Sequence, residues 1–335
     1  MSVSTNVSFL AQSTSQINRL KDLRASLDDL QRQVTTQKKH DNYGGFGADS
    51  LNLQFLRTSK TMTEGYLNNI DTVSARMEMM TKNMTQISQL GSQLLSAINL
   101  GGATDMSSIN QFARQNLSFV EELINQKLDG RYLFAGSDAE NQPFVDDSTL
   151  NSNFINQTNI WLGGGGNAQL ISTTDGFAAT NLGLAPGLAA SGALTARVNQ
   201  NLDIDYTAKA DQDGFKNILR ALTFLANLKY PDPAAGDLAT PAEFDEILRH
   251  SVDVLTRGVQ EMNDSTKHLA SKFSLLKGVK ESHTSDMQLL LTQIDRIEAV
   301  DPSNAIITMQ LLQNQLTASY QVTKIVSQLS LVNFM

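Results

Sequence analysis

The sequence predicts a mainly α fold with a β-rich insertion. The chain is expected to be elongated: terminal helices pairing as a coiled coil, a long helical-bundle rod, and a small outer β domain. Three observations predict this. Apolar residues recur at alternating steps of three and four over long stretches. Such stretches occupy both chain ends, each set apart by a breaker. The middle of the chain has no such rhythm and is rich in Gly, Thr and Asn.

The first stripe is Leu20, Leu23, Leu27, Leu30 and Val34, extended weakly by Ile17 and Leu10. The stretch His40 to Gly47, with three glycines in its last four residues, ends that helix. The second stripe is longer: Tyr66, Ile70, Val73, Met77, Met80, Met84, Ile87, Gly91, Leu94 and Ile98, with Gly91 its one small member. Gly101-Gly102 is a plausible stop. A third helix from near Ser107 carries Ile109, Phe112, Leu117, Val120, Ile124 and Leu128 and is expected to stop at Asp129-Gly130.

Residues 131 to about 214 read as short strands and loops. Arg131 to Gly136 looks like a strand entering a turn, and Gly163 to Gly166 like a flexible loop. Val198 to Tyr206 alternates well enough for one strand, with Leu202, Ile204 and Tyr206 on one face. A short helix spans about Gly214 to Leu228 and ends before Pro231-Asp232-Pro233.

The next helix announces its start. Thr240-Pro241-Ala242-Glu243 has capping-box spacing with Pro at the first helical position. From Leu248 to Ile297 the rhythm holds, with Thr266, Lys280 and His283 as polar members. A helix of roughly 60 residues would span roughly 85 Å, longer than a compact domain needs. Asp301-Pro302 punctuates it. The last segment carries Ile306, Met309, Leu312, Leu316, Val322, Ile325, Leu329 and Val332. The division expected from the breakers is 1–42 plus 302–335 for the terminal helices, 43–140 plus 212–301 for the rod, and 141–211 for the insertion. An amphipathic helix alone cannot bury its apolar face, so the terminal helices must pair with each other, with neighbouring subunits, or both.

Composition narrows the function. Aromatic residues are 6% and charged residues 18% of 335, which favours elongated elements over one thick core. The net charge of -8 argues against nucleic acid or an anionic membrane as the main partner. With no Cys, disulfides, thiolate metal sites and thiol nucleophiles are excluded. The start, MSVSTNVSFLAQSTSQ, lacks a basic segment leading into an apolar one, so a cleavable signal peptide is not expected.

No catalytic or cofactor constellation emerges, and no enzyme, metal or cofactor is expected. His250, His268 and His283 share one helix but stand roughly 20 Å or more apart along it, too far to share a metal. Asp211-Gln212-Asp213-Gly214 imitates a calcium loop, but that register puts Lys209 and Arg220 at ligand positions. The glycine run lacks a following Lys-Ser or Lys-Thr. Met77, Met80 and Met84 lie on the stripe and read as core.

Several stretches carry a family resemblance. They are the Ser/Thr/Asn-rich opening followed by Leu heptads, the segment Asp129 to Ser137 with Pro143-Phe144 after it, and the ending Leu316 to Tyr320 followed by Leu329 to Phe334. Together these resemble the flagellin superfamily of bacterial flagellar axial proteins, and within it the hook–filament junction family. The motif residues are Arg131, Tyr132, Leu133, Phe134, Gly136 and Ser137. Filament flagellins usually carry a stretch like LSSGxRI after the first helix. Here that place reads Val34-Thr35-Thr36-Gln37-Lys38-Lys39-His40, which favours the junction type.

The resemblance implies a structural subunit exported unfolded through the flagellar type III apparatus and located outside the cell. Its partners would be identical subunits, hook-associated protein and flagellin, and an export chaperone. Its packing residues would be Leu20, Leu23, Leu27, Leu30 and Val34 with Met309, Leu312, Leu316, Val322, Ile325 and Leu329. A filament flagellin of the same architecture is the nearest alternative, and a secreted coiled-coil adhesin a more distant one.

Overall fold

The computed structural model describes residues 3–101 and 106–332, with side chains described for 14–99 and 106–325. The elements in chain order are α1 (Val3–Thr36), α2 (Ser50–Gly101), α3 (Met106–Ile124), β1 (Lys127–Leu128), β2 (Arg131–Tyr132), α4 (Asp147–Ile160), α5 (Asn167–Asp175), β3 (Thr195–Asn199), β4 (Leu202–Asp205), α6 (Asp213–Asn227), α7 (Pro241–Glu298) and α8 (Pro302–Val332). Long helices dominate, and the described sheets are two small antiparallel pairs. The chain forms two compact units. One comprises Met1–Glu64 with Thr284–Met335, the other Gly65–His283. The breakers expected to delimit the terminal helices, near residues 42 and 302, fall inside the first unit.

In the second unit the α2 stripe is the core. Ile70, Val73, Met77, Met80, Met84, Ile87, Leu94 and Ile98 are all buried. Gly91 belongs to the stripe because α7 packs tightly against it: a Cβ at that position would stand 2.6 Å from Val259 Cγ2. On α7 the partners are Leu255, Val259, Met262, Leu269 and Leu276, all buried. The capping box forms as its spacing predicts. Glu243 Oε2 accepts from the Thr240 backbone N–H at 2.8 Å, and Thr240 Oγ1 accepts from the Glu243 N–H at 3.3 Å. The α7 helix then runs 58 residues without interruption.

The expected third helix ends at Ile124, before Asp129-Gly130. Those two residues instead turn a hairpin. Asp129 has φ 52° and Gly130 φ 75°, the left-handed pair that a two-residue turn between β1 and β2 demands.

The region 141–211 differs most from expectation. Beyond a single antiparallel bridge between Phe144 and Leu184, its described β structure is at 195–205, where a hairpin, not one strand, places Ile204 and Tyr206 inside and leaves Leu202 exposed. The remainder holds α4 and α5. Asp146 caps α4 by accepting from Thr149 N–H at 3.0 Å, and Leu150, Phe154 and Thr158 form its buried face. The glycine run overlaps a π-helical turn, Trp161–Gly165, that breaks at Gly164 (φ 98°); its first residue, the buried Trp161, donates from Nε1 to Asn167 Oδ1 at 2.7 Å.

Among the histidines, His283 is buried. Its Nε2 lies 2.7 Å from the Val198 carbonyl oxygen and its ring stacks on Tyr66.

Candidate assembly interface

The first unit is built on little core. Its described buried hydrophobic cluster is Leu53, Leu56 and Ile294, with Phe46, Leu290 and Ile297 packed partly against them. Beyond this cluster α1 and α8 lie side by side. The chain leaves α1 and enters α8 through an antiparallel bridge between Lys38 and Ala299, so the two helices run in opposite directions. Arg24 sits over the Tyr320 ring at 5.6 Å, well along the pair.

Leu20, Leu23, Leu27, Leu30 and Val34 are all half-buried. So are Met309, Leu312 and Leu316. At the ~100° per residue of an α-helix these three share one face with the buried Ala305 and the half-buried Ser319. Val322 and Ile325 do not join them. Both are exposed, and with Ile307, Leu311 and Ala318 they form a second stripe on nearly the opposite face. The side chain of Leu329 lies outside the described ones, as does that of Leu10.

Two opposite apolar stripes distinguish α8 from α1. Between Pro302 and Val332 the sole charged residue is Lys324. The α1 helix instead carries Arg19, Lys21, Asp22, Arg24, Asp28, Asp29 and Arg32 around its apolar stripe. A helix that is apolar on both sides and nearly free of charge is suited to burial on both sides. In the isolated chain only one side has a partner, and Leu311 on the other remains 55% exposed. A further outward row occurs on α2, where Leu51, Phe55 and Met62 oppose the face that buries Leu53 and Leu56.

The family-motif residues occupy a different place, in the second unit. Arg131 is exposed at the end of the first hairpin, and Tyr132 faces Lys127, whose Nζ is 4.2 Å from the ring centroid. Leu133 and Phe134 are fully buried, and Phe134 packs on Phe215 of α6 with ring centroids 5.1 Å apart. Gly136, at φ 65°, makes room for Ser191, and Ser137 exchanges two hydrogen bonds with Gly192. Leu133, Phe134 and Gly136 thus knit a core, while Arg131 and Ser137 stay at its surface.

Among the described residues no three His, Asp or Glu side chains gather as metal ligands. None of the described helices is long and apolar enough to cross a membrane. The cavity lined by His250, Asp175 and Arg220 holds about one water-sized space, and the Ser251 hydroxyl that also lines it donates to the Ile247 carbonyl at 2.9 Å.

Long helices, paired chain ends and an outward apolar face on the C-terminal helix define a mainly helical frame. A solved structure shares that frame. A Vibrio parahaemolyticus protein assigned as flagellar hook-associated superposes with a TM-score of 0.51 at 9% identity, over 75% of this chain and 97% of that one. FlgL of Bacillus cereus matches with a TM-score of 0.39 at 15% identity, over 73% and 96%. The chain thus shares the fold of the Vibrio structure. No protein-family model and no curated relative matches it.

Proposed function

We propose that the chain is a structural subunit of the bacterial flagellum that joins hook to filament and polymerises through its terminal helices. The observation that carries this reading is the second apolar stripe of α8, Ile307, Leu311, Val322 and Ile325, exposed opposite the stripe that packs on α1. Non-polar rows on both sides of one helix imply an assembly in which copies cover what the single chain leaves open. The fold shared with a protein assigned as flagellar hook-associated supports the flagellar setting. The partners in this reading are identical copies, the neighbouring hook-associated protein and flagellin, and an export chaperone that shields the stripe before assembly. Its place is outside the cell, in the axial structure.

Immunogold labelling of cells tests the reading. Label in a narrow band at the cell-proximal end of the filament is the expected result. Label along the whole filament would assign the chain to the flagellins, and label off the flagellum would overturn the proposal.

A further inference from the structure

The segments joining α1 to α2 and α7 to α8 are not loose linkers. Residues 43–49 form a short 3-10 stretch capped by the Asn42 side chain, which accepts from Gly45 N–H at 3.1 Å. His40 packs edge-on against Phe46, and a side chain at position 45 would strike it. Gln37, with φ 56°, holds a left-handed conformation that costs a non-glycine residue free energy. That geometry presents the Gln37 carbonyl to the Val300 N–H at 3.2 Å, while the Lys39 N–H donates to the Glu298 carbonyl at 2.8 Å.

At the centre lies the Glu298 carboxylate, with only 6% of its side chain exposed. Arg57 of α2 donates to Oε1 through Nε at 2.7 Å and Nη2 at 2.5 Å. Lys38 reaches Oε2 at 3.3 Å. The Lys39 ammonium donates to the Ile297 carbonyl at 3.1 Å, satisfying an orphan acceptor at the end of α7. Arg32 donates to Asp41 and to the Lys39 carbonyl, tying the last turn of α1 to the same knot. Arg57 also lies 5.2 Å over the Tyr43 ring. One buried carboxylate thus holds α2, the segment after α1 and, through its own backbone, the segment before α8.

We infer that Glu298, held by Arg57 and Lys38, is a latch that makes the two terminal helices open and close together. The inference rests on the assembly reading for its purpose but not for its mechanism. With the latch closed, Lys38 and Ala299 stay bridged and α1 and α8 meet in one register. With it open, neither helix keeps the other's position, and the stripe that copies must cover loses its frame.

The burial pattern gives the latch a signature. The carboxylate is buried, whereas the Arg57 and Lys38 side chains are 36% and 48% exposed. Removing a cation strands a buried charge; removing the anion leaves cations that water can solvate. Hydrogen exchange on the full chain reads the difference. Arg57→Met should speed exchange at the Lys39 and Val300 amides together, by on the order of tenfold or more, with α1 and α8 following. Glu298→Gln should do so less. Adding Glu298→Gln to Arg57→Met should bring exchange back toward the Glu298→Gln level. Lys38→Met, which leaves the Arg57 bonds in place, should release the same two amides by a smaller factor. If Arg57→Met opens the second unit as well, the decision passes to Lys38→Met. Release of one amide without the other, in either variant, overturns the latch. So does equal loss in Glu298→Gln and Arg57→Met. Coupled opening in a chain that never joins the flagellum would refute the assembly reading and leave the latch standing.

Discussion

Replacing Ile307 and Leu311 together by alanine tests whether the outer stripe of α8 is an assembly seam. In the single chain both side chains are exposed, Ile307 at 65% and Leu311 at 55%, and neither belongs to the α1-facing stripe. Their removal should leave the free chain's stability within about 0.5 kcal/mol, as for surface substitutions away from special features. In the polymer the exposed portion becomes buried. A fully buried Leu or Ile is worth about 1.5–3 kcal/mol relative to exposure, so the portion still open contributes about 1–1.5 kcal/mol for each residue. Losing both therefore removes about 2–3 kcal/mol per contact, and at 1.4 kcal/mol per tenfold the critical concentration should rise on the order of a hundredfold.

The assay is sedimentation of the purified chain over a concentration series, paired with thermal unfolding of the unassembled chain. Met309→Ala and Leu312→Ala, on the α1-facing stripe, provide the contrast: they should lower the stability of the terminal pair itself. An unchanged critical concentration in the Ile307/Leu311 variant would refute the reasoning. A matching fall in free-chain stability would refute it too, because the stripe would then be internal packing.

Three other substitutions probe the second unit. Burial, then the charge of Asp147 and a hydrogen bond with it, push the Glu121 carboxyl up to about 8. The folded state thus binds this proton to higher pH than the unfolded state, so the stability it contributes is full below about pH 4.5 and is lost as pH rises through about 8. Glu121→Gln should remove that loss and stabilise the chain above pH 8 by about 1 kcal/mol, a value discounted for the carboxyl's partial access to water; denaturant melts at pH 6 and 9 check it. At Gly258 a Cβ would stand 2.9 Å from the Ile218 backbone nitrogen, so Gly258→Ala should push α6 off α7 at a cost of about 1–3 kcal/mol, read as a lower melting temperature. Trp161→Phe removes the Nε1–H donor from Asn167 at a buried site and should cost about 1–3 kcal/mol by the same measurement, without changing assembly.

The parts legible in the sequence were those where burial is one-sided and regular. From Ile70 to Ile98 the α2 stripe faces one continuous core, so apolar residues recur at the helical period and the period reveals the helix. Thr240 to Glu243 was legible because the cap is made by those four residues alone. The α4 helix hid for the opposite reason. Its segment, DSTLNSNFINQTNI, is built of Asn, Ser and Thr, which favour turns, and its buried face of Leu150, Phe154 and Thr158 ends in a threonine. Its stability comes from the Asp146 cap and from packing around Phe154, which meets Phe177 and Phe224 edge to face. Asp129-Gly130 was legible as a break but ambiguous in kind, because the same dipeptide can stop a helix or turn a hairpin. In α8 one sequence stripe joined two faces. The α1-facing row continues from Leu316 to Ser319, a polar residue, so Val322 and Ile325 read as its continuation although they belong to the other side.

That ambiguity is itself physical. A helix meant for one apolar neighbour shows a single stripe, while a helix meant for two shows rows that interleave, and any heptad drawn through them can cross from one to the other. The α8 sequence has this character, and α1, with charges around its single stripe, does not. The difference extends to the two units. In the second, the buried side chains from Ile70 to Leu276 form one cluster that needs no other chain to exclude water. In the first, the buried apolar cluster among the described residues is Leu53, Leu56 and Ile294, and Leu51, Phe55, Ile307, Leu311, Val322 and Ile325 stand in solvent. On the assembly reading, the apolar surface that the first unit leaves open is covered where copies meet. A substitution such as Leu27→Asp should accordingly abolish assembly, because it charges the α1–α8 seam, while the second unit keeps its melting transition. Loss of that transition in Leu27→Asp would show that the two units fold as one and that the first is not held in reserve for its neighbours.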